Sequence, residues 1–151
     1  MPPYQVPMIE VGVTVALAGL EPEEHYLFLA PYSDRRDGPE TLADYLNGRR
    51  RFFPMVVAGA PKMVNRDQVL WMRCEKLLEM AELDATIITR LTIIELSDGS
   101  RLEGTIPIDR PREYSRISDV LNDDSELFLR IDGDDETWYV NKGFIRSVIP
   151  R

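Results

Sequence analysis

The apolar and polar positions of the chain alternate over short stretches, which predicts strands rather than long helices. In the second half, Thr92-Ile93-Ile94-Glu95-Leu96 runs into Ser97-Asp98-Gly99-Ser100, whose Asp-Gly pair favours positive φ and a tight hairpin. Leu102, Gly104, Ile106 and Ile108 then alternate with Glu103 and Thr105, the period-two mark of a strand with one buried face. A polar segment from Asp109 to Ser115 leads to a short helix ending near Asn122. Glu126 to Ile131 predicts a third strand, Asp132-Gly133-Asp134-Asp135 a turn, and Thr137 to Val140 a fourth strand. Phe144 to Ile149 makes a fifth, stopped by Pro150, which cannot donate to a ladder.

The first half follows the same order. Val11 to Ala18 and Tyr26 to Ala30 correspond to Leu91 to Leu96 and Leu102 to Ile108, with turns at Glu21-Pro22-Glu23-Glu24 and Ala58-Gly59-Ala60-Pro61. Two signatures fix the correspondence: Leu46-Asn47 with Leu121-Asn122, and Val64-Asn65-Arg66 with Val140-Asn141-Lys142. One inserted residue aligns both, so the chain reads as a tandem duplication. Thr41 to Asn47 lies over Arg116 to Asn122, a Leu/Ile-x-Asp-x-Leu-Asn pattern with apolar residues at i and i+4 of a short helix. Phe52 to Val57 lies over Leu127 to Asp132, and Val69 over Ile145.

The period exceeds that of solenoid repeats, so each copy is expected to be a small domain. The boundaries expected are 8–74 for the first, 75–86 for a connector and 87–151 for the second. Glu75 to Leu83 has good helix formers and reads as a brief helical connector, part of which an extended fifth strand through Trp71 and Arg73 would use. Five short, bent strands with one helix predict a small closed or half-open barrel, because closure removes the edges of so small a sheet.

A chain of 151 residues with 44% hydrophobic content can bury a core, as one domain or as two of about 70 residues. No apolar run approaches the roughly 20 residues that span a bilayer, and Met1-Pro2-Pro3-Tyr4 lacks the regions of a signal peptide, so a cytoplasmic protein without membrane contact is expected. Cys74 and His25 are each alone, which excludes an internal disulfide and most zinc or iron sites; no metal and no cofactor is expected. A net charge of −8 argues against general binding to the nucleic-acid backbone but leaves room for a local basic patch.

Asp98-Gly99-Ser100-Arg101-Leu102-Glu103-Gly104-Thr105-Ile106 resembles the hairpin between the first two strands of the Sm-like family, which includes bacterial Hfq. Asn141 to Pro150 is similar to the end of that family's barrel, where a short connection joins strands four and five; SH3-like barrels end comparably. The resemblance implies a mainly β protein of two tandem five-stranded Sm-like or SH3-like barrels; the family has a short link between strands two and three, where each copy of this chain inserts a short helix. It would also imply a Tyr-Lys-His step at Asn141-Lys142-Gly143, where only Lys142 agrees, and Asn65-Arg66-Asp67 keeps only a basic centre. Single-stranded RNA is held by stacking and base-edge bonds, so loss of the Tyr and His removes much of such a pocket. The inserted segments, Pro31 to Arg51 and Asp109 to Ser125, put extra material on one face, where a protein partner would replace RNA.

Arg49, Arg50 and Arg51, next to Phe52-Phe53, have the chemistry of a phosphate or RNA contact, with Arg66 and Lys142 as further candidates. The competing reading is a solvated segment paired with neighbouring acids. Asp132 to Glu136 lacks the Asp-x-Asp-x-Asp-Gly order of a calcium loop and reads as a hairpin turn. Asp44 and Asp119 suit hydrogen bonding to nearby backbone, and Asn65 and Asn141 bond their own turns. Trp71, Trp138, Tyr45 and Tyr139 suit core packing, with a recognition surface as the alternative, and Cys74 a passive thiol. No Gly-x-Ser-x-Gly, phosphate-cradling loop or His-based metal motif is present, so an enzyme is not expected. The expected function is a protein-interaction or assembly module that pairs with itself or a protein partner through strand edges. The alternative is RNA or single-stranded nucleic-acid binding through the basic residues.

Overall fold

The computed structural model describes residues 7–33, 37–76 and 87–151. Most of the expected helical connector falls outside the described residues; its first residue, Glu75, ends a strand. The elements are β1 (Ile9–Leu17), β2 (Glu23–Leu29), α1 (Leu42–Leu46), β3 (Phe52–Val57), β4 (Ala60–Asn65) and β5 (Val69–Glu75), then β6 (Ile88–Leu96), β7 (Arg101–Ile108), α2 (Ile117–Leu121), β8 (Phe128–Asp132), β9 (Glu136–Asn141) and β10 (Ile145–Pro150). The ten strands form one antiparallel sheet in the order β10-β6-β7-β8-β9-β5-β1-β2-β3-β4. The fold is therefore mainly β with short helices, and each half runs fifth-first-second-third-fourth across the sheet.

The two halves agree in register as well as order. Val69 faces Leu17 and Ile145 faces Leu96, each beside an irregularity in the ladder. Tyr26 faces Val56, and Thr105 faces Asp132. Phe52 faces Asn65, and Phe128 faces Asn141. That last pair corrects the sequence alignment: Phe128, not Leu127, takes the place of Phe52, and the extra residue sits in the loop before β8. The correction matters because a one-residue slip moves every side chain of a strand to the opposite face. Two smaller corrections follow. Glu23 and Glu24 belong to β2 rather than to the turn, and Pro150 lies within β10 opposite Thr92, at a sheet edge where a missing N–H is tolerated.

Local chemistry explains the turns and caps. Gly99 takes φ +89° in the β6–β7 hairpin, and Asp98 Oδ1 accepts from Ser100 N at 2.9 Å. At Gly104 a Cβ would stand 2.4 Å from the Asp132 carbonyl oxygen, so only glycine lets β7 approach β8 there. Helix α1 begins with a capping box: Thr41 Oγ1 accepts from Asp44 N, and Asp44 Oδ2 accepts from Thr41 N at 3.0 Å. In α2 the matching Asp119 Oδ2 accepts from Arg116 N at 3.1 Å. The aspartates thus do the backbone work expected of them.

Two hydrophobic clusters fill the interior, and each borrows from the other half. The first contains Val13, Leu27, Leu42, Leu46, Phe53 and Val64, together with Phe128 and Tyr139 from β8 and β9. The second contains Ile94, Leu96, Ile106, Ile131 and Val140, together with Ala16, Leu70 and Trp71 from β1 and β5. Alternation makes this exchange feasible: Leu129, Ile131 and Val140 face their own half, while Phe128 and Tyr139 point the other way.

The interlocked clusters predict cooperative unfolding. Phe128 is 1% exposed, and Phe128→Ala should cost about 3–5 kcal/mol, as deletion of a buried phenyl ring does. Urea unfolding followed by Trp fluorescence should show one transition shifted to lower denaturant; a separate transition for an unaffected first half would contradict the shared core.

Candidate functional site

The contact between the halves is the most elaborate joint in the molecule. Five facing pairs, from Trp71 opposite Val140 to Glu75 opposite Glu136, zip β5 to β9. Arg73 Nε lies 2.5 Å from Glu136 Oε2, and its guanidinium sits 5.5 Å from the Trp71 ring centroid and 5.9 Å from that of Trp138. Stacking and ion pairing together suit Arg here better than Lys. Two asparagine side chains reach across. Phe128 N donates to Asn47 Oδ1 at 2.8 Å, and Asn141 Nδ2 donates to the Val69 carbonyl at 2.9 Å. Asn141 Oδ1 also accepts from Gly143 N at 2.9 Å, so the turn bond expected from sequence is present beside the cross-seam bond.

The five candidate basic residues do not form one patch. Arg66 Nη1 donates to the Gly48 carbonyl at 2.7 Å, beyond the C-terminus of α1. Lys142 Nζ, in the equivalent place, donates to the Val120 and Asp123 carbonyls at 2.8 and 2.9 Å. Both cations therefore satisfy carbonyls left open where a helix ends. Burial lowers the Lys142 pKa from its ordinary value, against the opposing pull of Asp123 and Glu126. Arg51 is exposed and pairs with Asp67 at 3.4 Å, and the Arg50 guanidinium lies 5.3 Å from the Tyr45 ring centroid. Arg49 is exposed beside Arg50, on a hollow of about 770 Å³ that Glu40 and Asp44 also line, which reduces its pull on an anion. Tyr45 itself is core: its hydroxyl donates to the Pro54 carbonyl at 3.1 Å, and burial pushes its pKa up to about 12.

Other polar groups have structural partners. Asp132, in the hairpin expected from sequence, accepts from Thr137 Oγ1 at 2.8 Å and pairs with Arg130 at 3.1 Å. Asp123 is held below the usual carboxylate range by bonds from Ser125 and then from Arg110. His25 and Cys74 are buried. Among the described residues no group of three or more acids, His or Cys is placed to hold a metal ion, and no helix is long and apolar enough to cross a membrane.

The two ends of the sheet present a different surface. Among the described residues, strand β4 pairs only with β3, and β10 only with β6. On the outer face beside β4, Phe52 is 47% and Met63 62% exposed. Beside β10 lies an open groove of about 560 Å³, lined by Leu91, Ile117, Leu121 and Val148 with Arg90 and Arg151 at its rim. Sequence reasoning missed this pairing of knobs and groove, although the alternation that buries Phe53 already turns Phe52 outward. No protein-family model matches the chain, and no curated protein or solved structure is significantly similar to it.

Arg66→Ala and Lys142→Ala should each cost about 1–2 kcal/mol in urea unfolding through lost carbonyl bonds, a structural effect; unchanged stability would return both to the list of free cations. Folding depresses the Asp123 pKa, so its contribution is present above the unfolded value of 3.8 and is lost as pH falls toward the folded one. Asp123→Asn should accordingly flatten the acid side of the stability–pH curve, and an unchanged acid limb would remove Asp123 from it.

Proposed function

We propose that the chain is a non-enzymatic protein-interaction and assembly module, built from two fused, duplicated Sm-like barrels and acting through the two ends of its sheet. The observation that carries this reading is that the halves are already joined edge to edge by β5 and β9, while among the described residues β4 and β10 end the sheet without a strand beside them. An unpaired edge is a template for another chain, and proteins that do not use one usually blunt it. Here Pro61 and Lys62 on β4 and Pro150 on β10 blunt the edges only in part, while Met63 and Ile149 remain exposed to a partner.

A second reading, binding of RNA or single-stranded nucleic acid, draws on Arg49, Arg50 and Arg51. It is weakened by the acidic net charge, by the Arg51–Asp67 pair and by the carbonyl bonds of Arg66 and Lys142. Tyr45 and Phe53, beside these cations, are buried, which leaves Phe52 rather than a run of rings to stack on bases. A catalytic reading has less support still. The displaced pKa values at Asp98, Asp123 and Lys142 follow from turn bonds, an ion pair and burial, and where Lys142 meets Asp123 it donates to that residue's backbone carbonyl.

Two measurements test the proposal. Labelled oligo-U and oligo-A should show no salt-sensitive anisotropy change at micromolar protein; a change that Arg49→Ala with Arg50→Ala abolishes would favour the nucleic-acid reading. A photo-crosslinking residue at position 63 or 149, in cells expressing the full chain, should give protein adducts that the same residue at exposed position 20 does not give. Nucleic-acid adducts, or none at the edges, would overturn the edge reading.

A further inference from the structure

The seam between the halves has a counterpart at each end of the molecule. Every seam residue of one half has a matching position in the other, and those matching positions lie on β4, β10 and the surfaces next to them. Phe128 and Tyr139 fill the first half's core at the seam; the same registers place Phe52 and Met63 at their positions, and both are exposed. The pocket that Phe128 and Tyr139 enter includes Leu42, Leu46 and Met72. The second half carries Ile117, Leu121 and Val148 in those places, and there they line the open groove beside β10. One half of the molecule therefore shows knobs without a hole, and the other shows a hole without knobs.

The asparagines repeat the pattern. Asn47 and Asn141 make the two cross-seam bonds. Their matches, Asn122 and Asn65, bond or cap only their own half: Asn122 Nδ2 donates to the Ser118 carbonyl, and Asn65 Oδ1 accepts from Asp67 N. Local capping alone does not need all four, because Asn47 and Asn122 close their helices through backbone N–H groups.

From this correspondence we infer that the groove beside β10 is the docking site for β3 and β4 of a second copy of this chain, with Phe52 and Met63 as the inserted side chains. The inference rests on the interaction-module reading and names its partner. The register follows from the seam, where Trp71 faces Val140: Ser147 faces Val64 of the next copy, Val148 faces Met63, and Ile149 faces Lys62. Pro150 then falls opposite Pro61, so the two prolines that blunt these edges confine their loss of donors to a single pair of the ladder. Phe128 N bonds Asn47 in the seam, and in the same way Phe52 N of the next copy meets Asn122 Oδ1.

The contact is heterologous, β10 of one copy on β4 of the next, and so extends from chain to chain or closes into a ring. It is weaker than the internal seam. Ala16, Leu70 and Trp71, which cement the internal joint, correspond to Glu95, Arg146 and Ser147, and the Arg73–Glu136 pair corresponds to Ile149 and Ala60. Assembly is therefore concentration-dependent where the internal joint is permanent.

Sedimentation velocity over a concentration series tests the inference with three proteins. The wild-type chain should grow in mass with concentration. Phe52→Glu with Met63→Glu removes the knobs, and Leu91→Glu with Ser118→Glu blocks the groove; all four positions are exposed, so circular dichroism should match wild type. Each double variant alone should stay monomeric, and an equimolar mixture should give a two-chain complex that grows no further, because one intact knob face meets one intact groove. A wild type that remains monomeric at high concentration, a double variant that assembles like wild type, or a mixture that stays monomeric overturns the inference. In any of those cases, crosslinks from positions 63 and 149 to a different protein would still uphold the edge reading, whereas their absence would overturn that too.

Discussion

The exchange of apolar side chains across β5 and β9 is the contact on which the rest of the molecule depends. Neither half owns a complete core. The first is closed by Phe128 and Tyr139, the second by Ala16, Leu70 and Trp71. Burying one such phenyl ring is worth a few kcal/mol, a large share of the net stability of a domain this size. The same contact covers the helices unequally: α1, which lies against β8 of the other half, buries Leu42, Tyr45 and Leu46, whereas α2 packs on its own half's core and leaves Ile117 and Leu121 half-covered.

Polar groups at the seam fix geometry more than they add energy. Asn47 and Asn141 each bond a backbone group of the other half and so specify register, while apolar contact supplies most of the attraction. Arg73, stacked near two tryptophans and paired with Glu136, closes one end of the joint. On the free edges the corresponding places hold Ile149, Ser147, Lys62 and Ala60, with Pro150 and Pro61 at the pair beside them. These edges have a shape like the seam's but less adhesion, a combination that favours reversible contact over uncontrolled strand addition.

Much of the fold was legible in the sequence because it depends on local rules. Alternation marked the strands, Asp98-Gly99 the hairpin, and the Leu-x-Asp-x-Leu-Asn pattern both short helices. Pairing through strand edges was expected, but which strands join the halves, and in what register, was not legible, because pairing between distant strands leaves no local trace. The misplacement of Phe52 over Leu127 shows why: without the hairpin register, a single inserted residue can be put on either side of β8, and the choice reverses which phenylalanine faces outward. The candidate basic residues illustrate the opposite failure. Charge and spacing singled out Arg66 and Lys142, but carbonyls at or just beyond the helix ends hold both side chains.

The joint is most directly tested by hydrogen exchange at individual amides, measured at low and high protein concentration. The account predicts that the amides of Trp71 to Glu75 and Glu136 to Val140 are among the slowest at both concentrations and exchange with one common opening free energy. Outward-facing amides of β4 and β10 should exchange fast when dilute and gain protection when concentrated. Fast exchange along β5 and β9, or slow but independent exchange in the two halves, would contradict the shared core on which the account rests.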